Sequence, residues 1–517
     1  MDQSPIKNVV IIGGGSAGWM AAIAIAGRFP EKRITVVDPK ALGPIGVGES
    51  VTGVVLQFVA DPLHGLDKGE FFRRCDVTFK TGIWYKDWHG PGTEYLSPID
   101  SPSPHFKYHY ASHTEEFYAR AIADGANLGE TQLYGLLMRR NQTDHFRDPD
   151  GKINDKLASA SCHFDALKFT AWLQEVGGRR ENIDHIDDVV ETFDQEAESG
   201  HVTRIRTRTG LEVIGDLFID CTGFHRLLFA KAYQPKWKSY ADYIKVDSAI
   251  PTFSPYAPDQ APPNYTMATA MPHGWMWQIP TQSRLGRGYI FSSRYVSDEQ
   301  ALADFRSRGA DPGDNPRILR FSPGRFERLW EGNVCTIGLS GVFSEPLEAS
   351  TIHGMYVQIR LLTELLLPFC TQESMRCMAD QYNYLTTTAY DDYVDFISFH
   401  YRTGRDDTEF WRDYQRPEAL TLANQARVEK WKHAFPIRED FVPTYTQQAG
   451  HTTGLVIWAP MLSGFDLLVP EHARRMVELS RHPEMLQANV ARYLQVRNHI
   501  LGTALSHTEA TQYFRDM

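Results

Sequence analysis

The chain has 517 residues, enough for about three ordinary domains or for one large composite fold. Apolar residues make up 42% and charged residues 23%, a globular composition that argues against a disordered chain or a fibre. The formal net charge of −11 argues against nucleic-acid binding driven by bulk electrostatics.

The six cysteines are widely spaced, and no pair or Cys/His cluster has metal-ligand spacing, so we expect no bound metal. The first residues lack the basic and apolar segments of a signal peptide. No apolar run reaches the ~18 residues of a membrane helix. Together with the sparse cysteines, these features predict a cytoplasmic protein with no membrane partner.

The chain begins with a pattern typical of a β-α-β unit. Residues 8–12 (NVVII) form a short apolar run, as expected of a buried parallel strand. A glycine-rich turn follows, and the Ala-rich residues 19–29 then predict a helix. Residues 33–37 predict a second strand that ends at Asp38.

The glycine-rich turn has the GxGxxG pattern of dinucleotide-binding proteins. The first glycine permits a tight turn, the second lets a pyrophosphate approach the backbone, and the third allows helix and strand to pack closely. Asp38, 20 residues after the last glycine, is placed to accept hydrogen bonds from ribose hydroxyls. The predicted cofactor-binding residues of the turn are Gly13, Gly15, Ser16, Ala17 and Gly18.

Later segments predict further buried strands, each followed by a glycine-containing turn. Residues 211–220 lead into Asp220 and Gly223, and residues 333–339 include Gly338. No second GxGxxG in a β-α-β setting is found. The pattern therefore suits a flavoprotein in which a remote segment returns to the same FAD, although the glycine motif by itself also fits NAD.

The sequence predicts an α/β fold with a Rossmann-like FAD-binding body, similar to single-component monooxygenases, and a mostly helical substrate-binding region. We assign residues 1–100 and 160–365 to the body, and residues 101–159 and 366–517 to the helical region. Helical patterns at 355–367 and 471–496 support the second assignment.

Several ordered motifs resemble the flavin-dependent tryptophan halogenase family. The most specific is WxWxIP at residues 275–280. The other matches, from residue 13 to residue 411, are GxGxxG, residues 44–50 (PIGVGES), 78–80 (TFK), 163–166 (HFDA), 346–348 (PLE), 400–401 (HY) with Arg405, and 407–411 (DTEFW).

The resemblance implies a two-component enzyme. A separate NAD(P)H-dependent flavin reductase supplies FADH2, and oxygen and a halide ion then give hypohalous acid, which passes through an internal tunnel to a small aromatic substrate. Trp275 and Trp277 match the tryptophans that keep the substrate away from the flavin. A homodimer is a further expectation from the family.

The resemblance also assigns catalytic and binding roles. Lys80 matches the lysine that hydrogen-bonds hypohalous acid or forms a haloamine with it, and the apolar flanks of Lys80 are unusual for a surface lysine. Glu348 matches the carboxylate that accepts the proton of the arenium intermediate. The implied halide site uses the backbone N–H groups of Ser350 and Thr351. The implied mobile strap over the flavin contains Gly46, Gly48 and Glu49.

The predicted substrate region departs from enzymes that act on free tryptophan. Those enzymes hold the amino-acid end with a tyrosine pair and a downstream glutamate, whereas residues 440–465 contain only Tyr445 and no acid after Asp440. A buried zwitterion without partners is costly. At the family's His-Pro-Phe loop the chain has Ile99, and Trp458 is a candidate stacking face or a core residue.

We therefore predict halogenation of an electron-rich indole-type arene, with chloride or bromide, and favour indole or a derivative over free tryptophan. The alternatives are a flavin monooxygenase that hydroxylates or epoxidises its substrate, and a non-catalytic FAD-binding protein. WxWxIP and Lys80 favour the halogenase, because a hydroxylase brings its substrate to the flavin and needs no distant lysine.

Overall fold

The computed structural model describes residues 5–39, 49–155, 161–441 and 454–517. The chain forms two compact units, each assembled from three stretches. The first unit contains Met1–Asp76, Phe164–Ala241 and Ser322–Asp391, and the second contains Val77–His163, Asp242–Phe321 and Asp392–Met517. Residues 77–100 and 242–321, which the sequence-based division placed in the cofactor-binding body, thus belong to the second unit.

The first unit is built on a mainly parallel sheet, which confirms the predicted α/β class. Asn8–Ile12 lies at its centre and pairs in parallel with Arg33–Val37 and with Leu217–Asp220. Its residues after Asn8 are fully buried, as the apolar run predicted. The strand order is Trp330–Glu331, Val334–Thr336, Leu217–Asp220, Asn8–Ile12, Arg33–Val37 and Ile183–Ile186.

Helices and small sheets complete the first unit. The helices are Ser16–Arg28, Val54–Ala60, Lys68–Arg74, Ala166–Gly177, Phe229–Tyr233, Ser350–Arg360 with its π-helical continuation Leu361–Leu366, and Met375–Phe399, whose last turns belong to the second unit. The other strands are Glu49–Ser50, Val190–Gln195, Val202–Thr207, Glu212–Ile214, Trp237–Ser239, Gly324–Phe326 and Val342–Phe343.

The second unit contains a seven-stranded sheet. Adjacent strands in this sheet are antiparallel, except that Tyr265–Met271 pairs in parallel with Gly82–Lys86. Met276 packs with Tyr289 in a hydrophobic cluster on one face, so the alternation of side chains places Trp275 and Trp277 on the other. The strand order is Leu319–Arg320, Ser248–Ser254, Leu285–Phe291, Gly274–Pro280, Tyr265–Met271, Gly82–Lys86 and Glu94–Pro98.

Two further pairs of strands and a set of helices belong to this unit. Thr78–Lys80 pairs with Ser161–Phe164, and Gln142–Phe146 pairs with Ala504–Ser506. Within the described ranges no helix is long and apolar enough to cross a membrane. The helices are His113–Ala123, Leu128–Thr131, Leu133–Arg140, Asp298–Ser307, Glu409–Tyr414, Leu422–Trp431, Leu455–Gly464, Pro470–Glu478, Pro483–Thr503 and His507–Asp516.

The single helix predicted over residues 471–496 was wrong. The structure has two helices, Pro470–Glu478 and Pro483–Thr503, with a break between them. Pro483 has no N–H to continue a helix and disfavours helical geometry at the residue before it. His482 accordingly adopts the non-helical angles φ −135° and ψ 54°, and the second helix begins at the next residue.

Candidate active site

A cavity of about 280 Å³ lies at the carboxyl ends of the central parallel strands of the first unit. Its wall contains the residues that directly follow four neighbouring strands, namely Gly13, Asp38, Cys221 and Ile337. Open α/β sheets bind their ligands at this edge, because the loops there diverge and leave a crevice. The position of the cavity is therefore that of a cofactor site.

Two glycines of the turn are required by close backbone approaches. Gly13 has φ +99°, and a Cβ there would lie 2.5 Å from the carbonyl oxygen of Cys221. A Cβ on Gly18 would lie 1.9 Å from the carbonyl oxygen of Gly13. The first glycine thus permits the turn and the third permits close packing of helix and strand, as the pattern predicted.

The second glycine faces open space. Among the described residues other than its chain neighbours, no atom lies within 4 Å of a Cβ built on Gly15, and Gly15, Ser16 and Ala17 all line the cavity. Gly15 also precedes the first turn of Ser16–Arg28, where N–H groups and the helix dipole favour an anion. The loop therefore fits the pyrophosphate of a dinucleotide such as FAD.

Asp38 lies in the cavity wall directly after the second strand. A Cβ on Gly14 would lie 2.4 Å from its carboxylate, so the glycine turn and the acid are packed together. Burial raises the pKa of the Asp38 carboxyl, while a hydrogen bond from the Gly14 backbone opposes that shift. The carboxylate is thus placed to accept hydrogen bonds from ribose hydroxyls.

Asp220, a predicted cofactor-binding residue, is not among the residues that line the cavity. Its side chain is fully buried and accepts hydrogen bonds from the backbone N–H groups of Thr222, Leu228 and Phe229, and from the Thr222 hydroxyl. Those bonds fix the turn that follows, and the turn lines the cavity from Cys221 to Leu227, including Gly223. Asp220 therefore shapes the cavity wall from behind.

The segment that carries Glu348 has unusual backbone geometry. Glu348 and Ala349 have φ of 62° and 57°, a region that non-glycine residues rarely adopt. The helix Ser350–Arg360 begins immediately afterwards, and Thr351 lines the cavity. Ser350 is buried, and its hydroxyl donates to the carbonyl oxygen of Glu345 over 3.2 Å. Strained residues of this kind are concentrated at functional sites.

Gly338 lies between two cavity-lining residues, Ile337 and Leu339. It has φ +72°, and a Cβ there would lie 2.9 Å from the side chain of Met355, itself part of the wall. Its N–H donates to Gln358 Oε1 over 2.8 Å. Gly338 thus admits Met355 to the cavity wall.

Two predicted site residues lie outside the described part of the chain, and two residues of the cavity wall were not predicted from the sequence. Gly46 and Gly48 lie outside the described residues, and Glu49 begins the strand Glu49–Ser50. Conversely, Asp188 and Val189 line the cavity without any motif to mark them. Hydrogen bonds from Thr207 and Thr209 lower the pKa of Asp188, so this acid is engaged with the neighbouring hairpin.

Lys80 is buried in the second unit, with 2% of its surface exposed. It ends the strand Thr78–Lys80, whose partner strand pairs Thr78 with His163 and Lys80 with Ser161. The Thr78 hydroxyl donates to the carbonyl oxygen of Pro280, the last residue of WxWxIP, over 2.6 Å. The lysine and tryptophan motifs are therefore joined within this unit.

Trp275 and Trp277 are both buried, and their ring centroids lie 6.2 Å apart. Trp277 lies over Gly288 on the neighbouring strand, where a Cβ would be 1.9 Å from the indole ring. Trp275 packs 6.4 Å from the ring of Trp88. Glycine on the neighbouring strand thus allows an indole to lie flat on this face of the sheet.

The two predicted substrate contacts pack against protein. Ile99 is half-buried and packs on a cluster that contains Leu133 and Ile500. Trp458 is fully buried, with ring contacts to Phe396 and Phe399 at 5.2 Å and further contacts to Trp431 and Phe441. Of the two alternatives for Trp458, the packing is that of a core residue.

Solved flavin-dependent halogenases share this fold. The chain is similar to Xcc4156, a flavin-dependent halogenase from Xanthomonas campestris, with a TM-score of 0.83, 26% identity and coverage of 99% of this chain and 98% of that chain. For BrvH, a flavin-dependent halogenase from Brevundimonas sp. BAL3, the TM-score is 0.81, with 28% identity and coverage of 98% and 99%. The protein is thus a flavin-dependent halogenase, a class that uses FADH2 and a halide ion.

The chain belongs to the tryptophan halogenase family, whose sequence model matches residues 8–463. It is 30% identical to the tryptophan 7-halogenase KtzQ of Kutzneria sp. (strain 744), over 84% of each chain. It is 32% identical to the tryptophan 7-halogenase RebH of Lentzea aerocolonigenes, over 79% of this chain and 78% of that one.

Proposed function

We propose that this enzyme halogenates an electron-rich indole-type arene with chloride or bromide. The balanced reaction is Ar–H + X⁻ + FADH2 + O2 + H⁺ → Ar–X + FAD + 2 H2O, with FADH2 delivered by a separate NAD(P)H-dependent reductase. Reduced FAD, when bound, supplies the two electrons that convert halide and oxygen into hypohalous acid and water. The chain's own residues bind the cofactor, hold the hypohalous acid and accept the substrate proton.

The buried position of Lys80 supports this proposal most strongly. Full burial is rare for a lysine, so the position of Lys80 sets it apart from an ordinary surface lysine. At 2% exposure, Lys80 is held on a strand that is hydrogen-bonded to the end of WxWxIP through Thr78. In our proposal its Nζ receives hypohalous acid, either by a hydrogen bond or as a haloamine, and transfers halogen to the arene.

Further roles follow from the first unit. We assign to Glu348 the acceptance of the proton that leaves the arene when the C–X bond forms. We assign the halide to the helix start at Ser350 and Thr351, because N–H groups at a helix N-terminus favour anions. Thr351 in the cavity wall and the left-handed Glu348 and Ala349 support these assignments.

The form of the substrate is the finer part of the proposal. KtzQ and RebH are named tryptophan 7-halogenases, whereas for this chain we propose indole or an indole derivative as substrate. Among residues 440–465 the acid is Asp440, and it is engaged: it accepts hydrogen bonds from Trp431 Nε1 over 2.8 Å and from the Ile437 N–H over 3.0 Å. Tyr445 lies outside the described residues. Our preference rests on the missing tyrosine pair and glutamate.

A paired assay tests both parts of the proposal. The protein is incubated with FAD, NADH, a generic flavin reductase and chloride or bromide, with indole and with tryptophan in separate reactions. Mass spectrometry then detects the halogen isotope pattern. We expect halogenated indole and little halogenated tryptophan. Efficient turnover of tryptophan would overturn the substrate preference, and hydroxylated product alone would overturn the proposed reaction.

The cytoplasmic location and the homodimer stay predictions. The six cysteines are all free thiols, which is compatible with the reducing cytoplasm that we predict. The homodimer implied by the family is open to light scattering on the purified protein. Neither expectation affects the proposed chemistry.

A further inference from the structure

A buried histidine links the strand of Lys80 to Tyr265–Met271, the strand next to the tryptophan pair. His163 Nδ1 lies 3.1 Å from the Thr78 hydroxyl, which in turn contacts the carbonyl oxygen of Pro280 over 2.6 Å. His163 Nε2 lies 2.9 Å from the hydroxyl of Thr266, on the strand next to the tryptophans. One imidazole therefore connects three strands of the second unit.

The directions of these hydrogen bonds follow from counting protons. A carbonyl oxygen only accepts, so the single hydroxyl proton of Thr78 goes to Pro280, and His163 Nδ1 must donate to Thr78. Burial, together with the charge of Lys80, lowers the pKa of His163 well below its usual range. In this neutral ring Nε2 carries no proton and accepts from Thr266.

The strand register places this imidazole beside the lysine. Thr78 pairs with His163 and Lys80 pairs with Ser161 in an antiparallel ladder. Side chains at alternate positions share a face, so His163 is the diagonal neighbour of Lys80. The influence of the Lys80 charge on the pKa of His163 agrees with that placement.

A second neutral histidine holds the same short strand. The backbone N–H of Phe79 donates to His507 Nε2 over 3.1 Å, and His507 Nδ1 donates to the carbonyl oxygen of Pro262 over 2.8 Å. Burial lowers the pKa of His507 to about 4, so its ring is neutral near pH 7. The strand Thr78–Lys80 is thus fixed through a side chain and through its backbone.

We propose that His163 is a positioning residue for Lys80. By fixing Thr78 to Pro280 and Thr266, it sets the distance between the lysine and the strand of Trp275 and Trp277. This inference rests on the role of Lys80 in the proposed function. Because a displacement of about 1 Å can cost about a hundredfold in rate, the link is expected to control where halogen is delivered.

Two variants separate the links. His163→Phe keeps a ring of similar size but removes both hydrogen bonds. His163→Asn places an amide N–H near the position of Nδ1 and can still donate to Thr78. His64→Phe is the matched control, since His64 is also buried and bonded through Nδ1, to the carbonyl oxygen of Phe58 in the first unit.

Turnover and the ratio of halogenated regioisomers are measured with indole, tryptophan and bromide, beside FAD affinity and thermal midpoint. For His163→Phe we expect turnover to fall about tenfold to a hundredfold. We also expect the halogenated product to be distributed over more regioisomers. His163→Asn should recover turnover to within about threefold of wild type and restore the ratio. A loss caused only by reduced folding would lower turnover at an unchanged isomer ratio, as we expect for His64→Phe.

A crystal structure of His163→Phe provides a measurement that needs no substrate. We expect Lys80 Nζ to move by about 1 Å or more relative to wild type. An unmoved lysine, or an unchanged isomer ratio with wild-type turnover, would overturn the positioning role. If instead Lys80→Ala retains wild-type turnover, the proposed function of the lysine fails, whatever His163 does.

Discussion

The glycine loop of the first unit and the lysine strand of the second are built in opposite ways. The loop is made by six consecutive residues, and Gly13 and Gly18 lie against backbone carbonyl groups. The lysine strand is fixed by side chains far away in sequence, such as His507, which accepts the N–H of Phe79 from 428 positions further along the chain. A site made from local backbone can be recognised in a sequence, whereas a site made from distant side chains is visible only in the fold.

The two regions should therefore respond differently to substitution. Loss of a side chain in the lysine strand is expected to damage chemistry and leave cofactor binding intact. Addition of a side chain in the glycine loop is expected to damage packing or cofactor binding. The following changes test this contrast, beginning with the largest expected effect.

Replacement of Lys80 should have the largest effect on activity. For Lys80→Ala we expect halogenated product to fall about a thousandfold, because the group that holds hypohalous acid is lost. FAD affinity, measured by fluorescence titration, should be unchanged, since the cofactor cavity belongs to the first unit.

Lys86→Ala is the matched control, because Lys86 is an exposed lysine on the next strand. Its turnover should equal that of wild type. Halogenation by Lys80→Ala at the wild-type rate would contradict the assigned role, and a loss of FAD binding would contradict the separation of the two regions.

A buried carboxyl in the second unit predicts a strong dependence of stability on pH. Asp100 is 8% exposed, and neither carboxyl oxygen has a hydrogen-bond partner among the described residues. Burial raises the pKa of the Asp100 carboxyl to about 7, and the nearby Asp144 adds to that rise. The folded protein therefore favours the protonated acid.

Stability should accordingly fall as the pH rises. The unfolded carboxyl ionises near pH 4, so the penalty grows from there up to about pH 7 and is then constant at about 4 kcal/mol. We expect Asp100→Asn to raise the free energy of unfolding by about 4 kcal/mol at pH 8 and by about 1.5 kcal/mol at pH 5. Denaturant titrations at the two pH values measure the difference, and an equal effect at both would exclude titration of Asp100.

Two alanine substitutions in the glycine loop should separate packing from binding. Gly18→Ala places a methyl group against the carbonyl oxygen of Gly13 and should destabilise the protein by about 3 kcal/mol. In the part of the chain that the structure describes, a methyl group at Gly15 has no neighbour within 4 Å besides the adjacent residues, so for Gly15→Ala the thermal midpoint should not change. Its methyl group projects toward the cavity and should weaken FAD binding by about tenfold. Equal destabilisation by both variants would show that the loop does not divide these roles.

The β-α-β unit, the close backbone approaches at Gly13 and Gly18, and the family could all be predicted from the amino-acid sequence. Each of these depends on short-range patterns, because a strand, a tight turn and a helix start are set by neighbouring residues. The ordered motifs added Lys80 and the tryptophan pair through resemblance. The helix break at Pro483 also depends on neighbouring residues. The apolar periodicity continues across this break and by itself predicts one helix.

The use of individual side chains, in contrast, follows from the folded structure. It turned Asp220 inward to hold a turn, enclosed Trp458 in a ring cluster and placed His163 between three strands. The left-handed backbone of Glu348 is likewise maintained by its surroundings, since a glutamate has no intrinsic preference for it. The two hydrogen bonds of His163 join it to residues 85 and 103 positions away, and such partners are brought together only when the chain has folded.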